Sequence, residues 1–352
     1  MNWSADAIFG PVEPVVWPAH APLRLHLVID TEESFDWRAP FSRDRHDVRA
    51  LRELPRLVRR LERWRVVPTC VVTLPVVAAA DGRAILGELL ASGTIALGSH
   101  LHPWVTPPFE EPLGPATSYA GNLAPEVEAA KLSVLGERIG EAFGIAPRVY
   151  KAGRYGLGPA SAATLDRLGY RVDLSGYPRR DLRADGGPDY RAMPDRPFRF
   201  GPGRRLLELP MSCGHVGLSG PLPTVARLLD RPLLARLRLG GLFARTGLLE
   251  RVTLTPEGFT LAEQARLVRA LVARGHRVLC LSLHSPSLAP GNTPYAADAA
   301  ACAALVERLE GVLDLVLGEL GGEPTTAEAL LELLERTAGG GPVGRGRSPE
   351  PR

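Results

Sequence analysis

Short apolar runs alternate with segments whose apolar residues recur at helical spacing along most of the chain. The first run, LRLHLVI at 23–29, is typical of a buried strand, and residues 47–64 then carry Val48, Leu51 and Leu54 at the spacing of an amphipathic helix. Strands that alternate with helices predict a parallel sheet with helices over its faces. Further strands are predicted at 66–72, 94–97, 148–150, 170–173, 206–209 and 276–283, and further helices at 78–91, 125–143, 159–168, 261–273, 294–318 and 326–337.

The number of strand–helix units predicts one α/β domain built as a closed or nearly closed barrel of about seven strands. We expect an irregular arm at 1–22, the barrel domain at 23–337 with a leucine-rich helical insert at about 215–255, and a disordered tail at 338–352. A doubly wound open sheet is the alternative, but no Gly-x-Gly-x-x-Gly follows the first strand. In either architecture ligands bind beyond the carboxyl ends of the strands.

Composition narrows the class of protein without indicating a function. The 352 residues are 45% hydrophobic and 23% charged, with a net charge of +3, and Lys131 and Lys151 are the only lysines. The sequence has no basic run with interleaved aromatic residues, which is the pattern that would indicate nucleic-acid binding. No signal-like segment or bilayer-spanning apolar stretch is present, and the four separated cysteines favour a reducing compartment, so we expect a soluble cytoplasmic protein.

Three acidic residues follow the first predicted strand, in the run Asp30-Thr31-Glu32-Glu33. Asp30 and Glu32 share one face of an extended chain because side chains alternate with a period of two. Two carboxylates in that arrangement suit one metal ligand and one general base. An acidic loop that caps the next element is the alternative for this stretch taken alone.

Histidines follow two other strands, in Gly98-Ser99-His100-Leu101-His102-Pro103 and in Leu283-His284-Ser285. Neutral imidazoles are the commonest nitrogen ligands of zinc-like ions, and His100 and His102 can face the same side of the chain. A late strand that delivers His284 to the same rim is suited to supply an acid. Carboxylates and three histidines on one rim together predict a mononuclear metal hydrolase.

The order Asp-x-Glu, His-x-His-Pro and Leu-x-Leu-His resembles the polysaccharide deacetylases, also called the NodB-homology or carbohydrate esterase 4 group. The stretches IDTEESFDWRAPFSRD, GSHLHPWVTPP, KAGRYGLGP, GYRVDLS and LHSPSLAPGNTPY extend the likeness over about residues 23–320 and are most similar to its WalW-type branch. The resemblance implies the distorted (β/α) barrel of that group. It also implies one divalent metal ion, with zinc expected ahead of cobalt, nickel, manganese or iron.

The resemblance further implies how the metal and the proton acceptor are arranged. Asp30 matches the general base, and Glu32 stands where the family usually has a second aspartate as metal ligand. His100 and His102 match the two histidine ligands, although the family spaces them four residues apart and here they are two apart.

The same resemblance assigns the proton donor and its supporting groups. His284 matches the general acid, and Asp173 matches the acidic residue that tunes it. Lys151 stands where the family has an arginine that pairs with the base; Arg154, three residues on, is the alternative. A lysine keeps the charge but lacks the two-pronged guanidinium geometry.

The function implied is removal of an N-acyl group, typically acetyl, from an amino sugar or glycan precursor, with possible association with glycosyltransferases. Two alternatives stay open. One is an allantoinase-like or other non-peptide C–N hydrolase on the same fold, and the other is a non-catalytic member that binds a glycan or a partner. The shortened histidine spacing and Lys151 favour the latter.

Overall fold

A computed structural model describes residues 3–18, 20–35, 39–44, 46–217 and 250–339. Most of the expected helical insert, together with residues 340–352 of the expected tail, lies outside the described residues. The strands are β1 (Glu13–Pro14), β2 (Arg24–Thr31), β3 (Thr69–Val72), β4 (Ala96–Leu101), β5 (Val149–Ala152), β6 (Val172–Asp173), β7 (Phe198–Phe200), β8 (Leu206–Glu208), β9 (Cys213–Val216), β10 (Glu250–Thr253), β11 (Val278–His284) and β12 (Glu323–Thr325).

Seven strands of the main sheet run parallel, in the order β11-β2-β3-β4-β5-β6-β8. Beyond β8 the sheet continues through β7 and β1, which both pair in the antiparallel sense, and the short β12 pairs with the start of β2. The helices are α1 (Ala5–Phe9), α2 (Leu54–Leu61), α3 (Leu74–Ala78), α4 (Ala80–Ala91), α5 (Pro125–Phe143), α6 (Ser161–Arg167), α7 (Leu261–Ala273), α8 (Ala299–Leu313) and α9 (Ala327–Gly339). The predicted α/β barrel of about seven strands is confirmed.

Strand alternation divides the buried side chains into two layers. Val28 on β2, Val71 on β3 and Val149 on β5 belong to a small inner cluster, and α9 contributes Leu330 and Leu331 to it. Residues one position away, such as Ile29, pack into the larger outer layer against the helices. Side chains that lie on the inner face near the carboxyl end of a strand therefore point into the mouth of the barrel.

The barrel is distorted where β8 approaches β11. Among the described residues no ladder joins these two strands. Instead the backbone N–H of Cys280 donates to Ser212 Oγ (2.8 Å), and that of Ser282 donates to the carbonyl of Leu254 (3.2 Å). The antiparallel β9–β10 ribbon continues from these two bridging residues.

Short regular elements occupy the edges of two predicted segments. Residues 1–22 are not irregular throughout, because Ser4 caps α1 and the helix buries Ile8 and Phe9 in the outer core. Residues 213–216 and 250–253, at the edges of the helical insert expected at 215–255, form the β9–β10 ribbon, and residues 218–249 of that insert lie outside the described residues. Both elements are short, so they leave no periodic pattern in the sequence. No helix among the described residues is both long and apolar enough to cross a membrane.

Candidate metal centre

The carboxyl ends of β2, β4, β5 and β11 bring the candidate residues together. His284 on β11 is the register partner of Asp30 on β2, and His100 on β4 is the partner of Lys151 on β5. His100 and His102 lie on the same face of the chain because they are two residues apart. The sequence-predicted groups therefore converge on one end of the barrel.

Glu32, His100 and His102 form a buried three-ligand cluster. Glu32 Oε2 lies 3.3 Å from His100 Nε2 and 3.2 Å from His102 Nε2, and three ligand atoms of the set lie within 4.8 Å of one another. All three residues are at most 4% exposed. Burial would raise the pKa of Glu32, but His284 and the two histidine hydrogen bonds hold it well below its usual range.

The second nitrogen of each histidine is already bonded. His100 Nδ1 lies 3.0 Å from the carbonyl of Lys151, and His102 Nδ1 lies 2.7 Å from Glu33 Oε1. These contacts fix both ring orientations and leave the Nε2 atoms for a cation, as in metal sites supported by outer partners. The donor set, two imidazoles and one carboxylate, suits a divalent transition metal. The residues therefore fit a metal ion, and the two-residue histidine spacing does not prevent convergence.

Glu33 is a site residue that sequence reasoning did not assign. Alternation places it opposite Glu32, but β2 ends at Thr31, so the period of two no longer applies. Burial lowers the pKa of His102, whereas Glu33 and Glu32 raise it to a net value of about 9.

Asp30 is held by Lys151. The Lys151 ammonium donates to both carboxylate oxygens at 2.7 Å and to Ser282 Oγ at 3.3 Å, and both partners of the pair are almost completely buried. Burial would raise the pKa of Asp30, but Lys151, His100 and His284 together lower it. A single ammonium thus bonds both oxygens without a guanidinium fork.

Arg154, the alternative partner of the base, is wrong in that role. Its guanidinium pairs with Asp185, donates to Ser118 Oγ and lies over the ring of Tyr119, 4.3 Å from its centroid. The backbone turns through positive φ at Arg154 (55°) and Tyr155 (63°). This turn directs the arginine toward the outer loop, where its charge is neutralised.

His284 is oriented by Glu257. His284 Nδ1 lies 2.7 Å from Glu257 Oε2, and Nε2 lies 3.5 Å from Asp30 Oδ2. Glu257 also accepts hydrogen bonds from the Ser287 hydroxyl and the His284 backbone N–H. Burial lowers the pKa of His284, but Glu257, Glu32 and Asp30 raise it to about 10. The histidine is therefore a proton donor at neutral pH.

The expectation that Asp173 tunes His284 is wrong. The neighbours of Asp173, Val172 and Leu174, belong to the inner cluster, so alternation points the carboxyl group the other way, into the outer layer. There it accepts a hydrogen bond from Ser175 (2.6 Å) and is paired with Glu208. Glu257 follows the β9–β10 ribbon, outside any predicted strand end, and no sequence signal identified it.

The aromatic residues near the site have unequal exposure. Trp104 stacks on His102 at 4.2 Å between ring centroids and is only 3% exposed, so it supports the ligand and does not offer a sugar platform. The Tyr155 ring lies 5.3 Å from the Lys151 ammonium and 4.7 Å from the Tyr177 ring. Trp37 lies outside the described residues.

Comparison with known proteins supports the fold. No protein-family model matches the chain, and no curated protein matches it in sequence. A candidate polysaccharide deacetylase from Mycobacterium smegmatis superposes with a TM-score of 0.51 at 18% identity, covering 97% of this chain and all of the other. Puue allantoinase superposes with a TM-score of 0.50 at 15% identity, covering 95% of this chain and 96% of the other. The resemblance to polysaccharide deacetylases is confirmed as one of fold, whereas the WalW-type branch stays a prediction. This chain therefore has the distorted (β/α) barrel fold of the NodB-type polysaccharide deacetylases, with a buried Glu-His-His cluster able to hold a metal ion at the mouth of the barrel.

Proposed function

We propose that this protein is a metal-dependent hydrolase that removes an N-acyl group, typically acetyl, from an amino sugar or glycan precursor. One observation carries the proposal: a carboxylate held by a buried lysine and a histidine held by a buried glutamate lie beside one Glu-His-His cluster. A structural core does not require that combination, because every one of these charged groups is costly to bury.

Glu32, His100 and His102 would hold the ion. When bound, a divalent cation polarises the amide carbonyl and makes water a stronger acid. Asp30 accepts the proton of the attacking water, since Lys151 keeps its carboxylate ionised. Lys151 is thus a positioning residue that acts through Asp30.

His284 supplies the proton that the departing amine needs. An amine is a poor leaving group until it is protonated, and His284 carries that proton at neutral pH. Glu257 holds the imidazole by its Nδ1, which leaves Nε2 directed toward Asp30 and the site. The base and the acid therefore flank the same reacting centre, as amide hydrolysis requires.

An allantoinase-like opening of a cyclic amide is the second candidate, favoured by the superposition on Puue allantoinase. The same residues serve both reactions, because each breaks a non-peptide C–N bond. A panel of N-acetylated sugars, nucleotide sugars, lipid-linked sugars and small cyclic amides separates the two candidates. A cytoplasmic location, zinc and association with glycosyltransferases stay predictions.

Metal content and acetate release together test the proposal. The purified protein is expected to hold about one divalent ion per chain and to release acetate from an N-acetylated sugar. His284→Ala should abolish turnover and keep the metal, whereas His100→Ala should lose both. His276→Ala, at a buried histidine on the far side of the fold bonded to the Leu271 carbonyl, is the control and should keep both. A protein without stoichiometric metal, or equal metal retention in the two site variants, would contradict the proposal.

A further inference from the structure

The loop that follows β6 carries an arginine, Arg180, that has no acidic partner among the described residues. The neighbouring Arg154 and the loop residues Arg179, Arg183 and Arg191 each bond a carboxylate, in the pairs Arg154–Asp185, Arg179–Asp195, Arg183–Asp181 and Arg191–Asp189, whereas Arg196 donates to the backbone carbonyl of Arg274. Within the described part of the chain, the Arg180 guanidinium makes no hydrogen bond or ion pair, and its Nε is buried without a partner. The four aspartates of this loop are thus already paired with other arginines.

Two tyrosine rings connect Arg180 to the reacting groups. Its guanidinium carbon is 5.6 Å from the centroid of the Tyr177 ring, which packs on Tyr155, which in turn lies over Lys151. Burial raises the pKa of Tyr155, with Tyr177, Asp30 and Glu257 adding to it, and the charge of Arg180 opposes that rise. Tyr155 therefore lies between Lys151, the partner of Asp30, and the Tyr177 ring that carries Arg180.

The backbone holds Arg180 in place. Its N–H donates to the carbonyl of Tyr177 (3.2 Å), and its carbonyl accepts from the N–H of Tyr190 (2.8 Å). The Tyr177 hydroxyl, bonded to Thr253 Oγ1 at 2.7 Å, fixes the ring under the guanidinium. A half-buried, preorganised guanidinium without a carboxylate is suited to bind an anion from outside, with two parallel N–H donors.

We propose that Arg180 is the anion-recognition residue of the site, so that the substrate carries a phosphate or carboxylate group near the scissile amide. This inference rests on the proposed function and names its substrate class: an anionic amino sugar rather than a neutral one. A charge-assisted, two-pronged contact is expected to favour anionic over neutral substrates by about 10- to 100-fold in kcat/KM.

The test compares three substrates with the metal-loaded enzyme: N-acetylglucosamine, its 1-phosphate, and N-acetylmuramic acid, which carries a carboxylate. We expect at least one of the anionic sugars to be preferred, and the 1-phosphate and carboxylate arms show which anion is recognised. Arg180→Met should remove the preference while retaining turnover of the neutral sugar, and Arg180→Lys should keep part of it. Binding of glucosamine 1-phosphate, measured by calorimetry, should weaken in Arg180→Met by a similar factor.

Arg167→Met is the matched control. Arg167 is exposed at the end of α6, toward the amino ends of the strands, and removal of its charge should leave the preference unchanged. No preference for either anionic sugar, or a preference that survives Arg180→Met, would overturn the inference while acetate release still supports the hydrolase. Absence of acetate release from all three substrates, together with unaltered glucosamine 1-phosphate binding in Arg180→Met, would count against both.

Discussion

Replacement of Lys151 by methionine tests the electrostatic design of the site. Methionine fills a similar volume but leaves the Asp30 carboxylate, whose side chain is 3% exposed in the natural protein, without its ammonium partner. Both bonds of 2.7 Å are lost. Breaking a buried ion pair by removal of one partner costs about 3–5 kcal/mol. We expect the free energy of unfolding of the metal-free protein to fall by that amount at pH 8.

The loss should shrink as the pH falls. In the variant only His100 and His284 oppose the effect of burial, so the Asp30 pKa rises relative to that in the natural protein. A carboxyl group whose pKa is higher in the folded state destabilises the fold as pH rises above the unfolded pKa. Protonation at lower pH removes that destabilisation. Urea unfolding, followed by far-UV circular dichroism at pH 8 and pH 5.5, measures both values.

The second lysine of the chain provides the matched control. Lys131 is also buried, but its partners are the Glu111 carboxylate (3.0 Å) and the backbone carbonyls of Pro103, Thr106 and Pro108, not Asp30. Lys131→Met should destabilise the protein, yet adding Asp30→Asn should not relieve it, whereas Asp30→Asn should recover much of the loss in Lys151→Met. A cost below about 1 kcal/mol for Lys151→Met, or no recovery in the double variant, would refute the assignment of Lys151 as the partner of the base.

Three further substitutions test the groups around the centre. Glu257→Gln should lower kcat by about 10- to 100-fold with metal content unchanged, and should move the alkaline limb of the pH–rate profile to lower pH, because Glu257 helps to raise the His284 pKa to about 10; an unmoved limb would exclude His284 as the acid. Glu33→Gln should weaken metal affinity about 10- to 100-fold, as measured by competition with a chelator, through the lost support of His102 Nδ1; unchanged affinity would argue against His102 as a ligand. Burial raises the Glu128 pKa to about 7, with Asp173 adding to it. The free energy of unfolding of the natural protein therefore falls as pH rises from about 4.5 to 7. Glu128→Gln should therefore gain up to about 3 kcal/mol relative to the natural protein between pH 5 and pH 8.5 in urea unfolding, and parallel pH dependences would contradict it.

The sequence by itself determined the elements that carry strong periodic signals. The strand β2 and the helix α5 are recognisable because seven residues of each are buried. The residues at the ends of β2, β4 and β11 could be placed on a common rim by the geometry of parallel strands. Asp30, Glu32, His100, His102 and His284 meet there as predicted.

Tertiary structure alone decided which charged groups form hydrogen bonds and ion pairs with each other. Glu257 and Asp173 are both acidic residues near strand ends, but the face that each side chain takes depends on the local register and on the bridge that replaces a ladder between β8 and β11. From the sequence, either Lys151 or Arg154 could pair with Asp30. The positive-φ turn at Arg154 and Tyr155 directs the arginine away, so the lysine makes the pair. Periodicity specifies a face only within a regular strand, so pairings made by loops and strand ends depend on contacts between residues far apart in the chain.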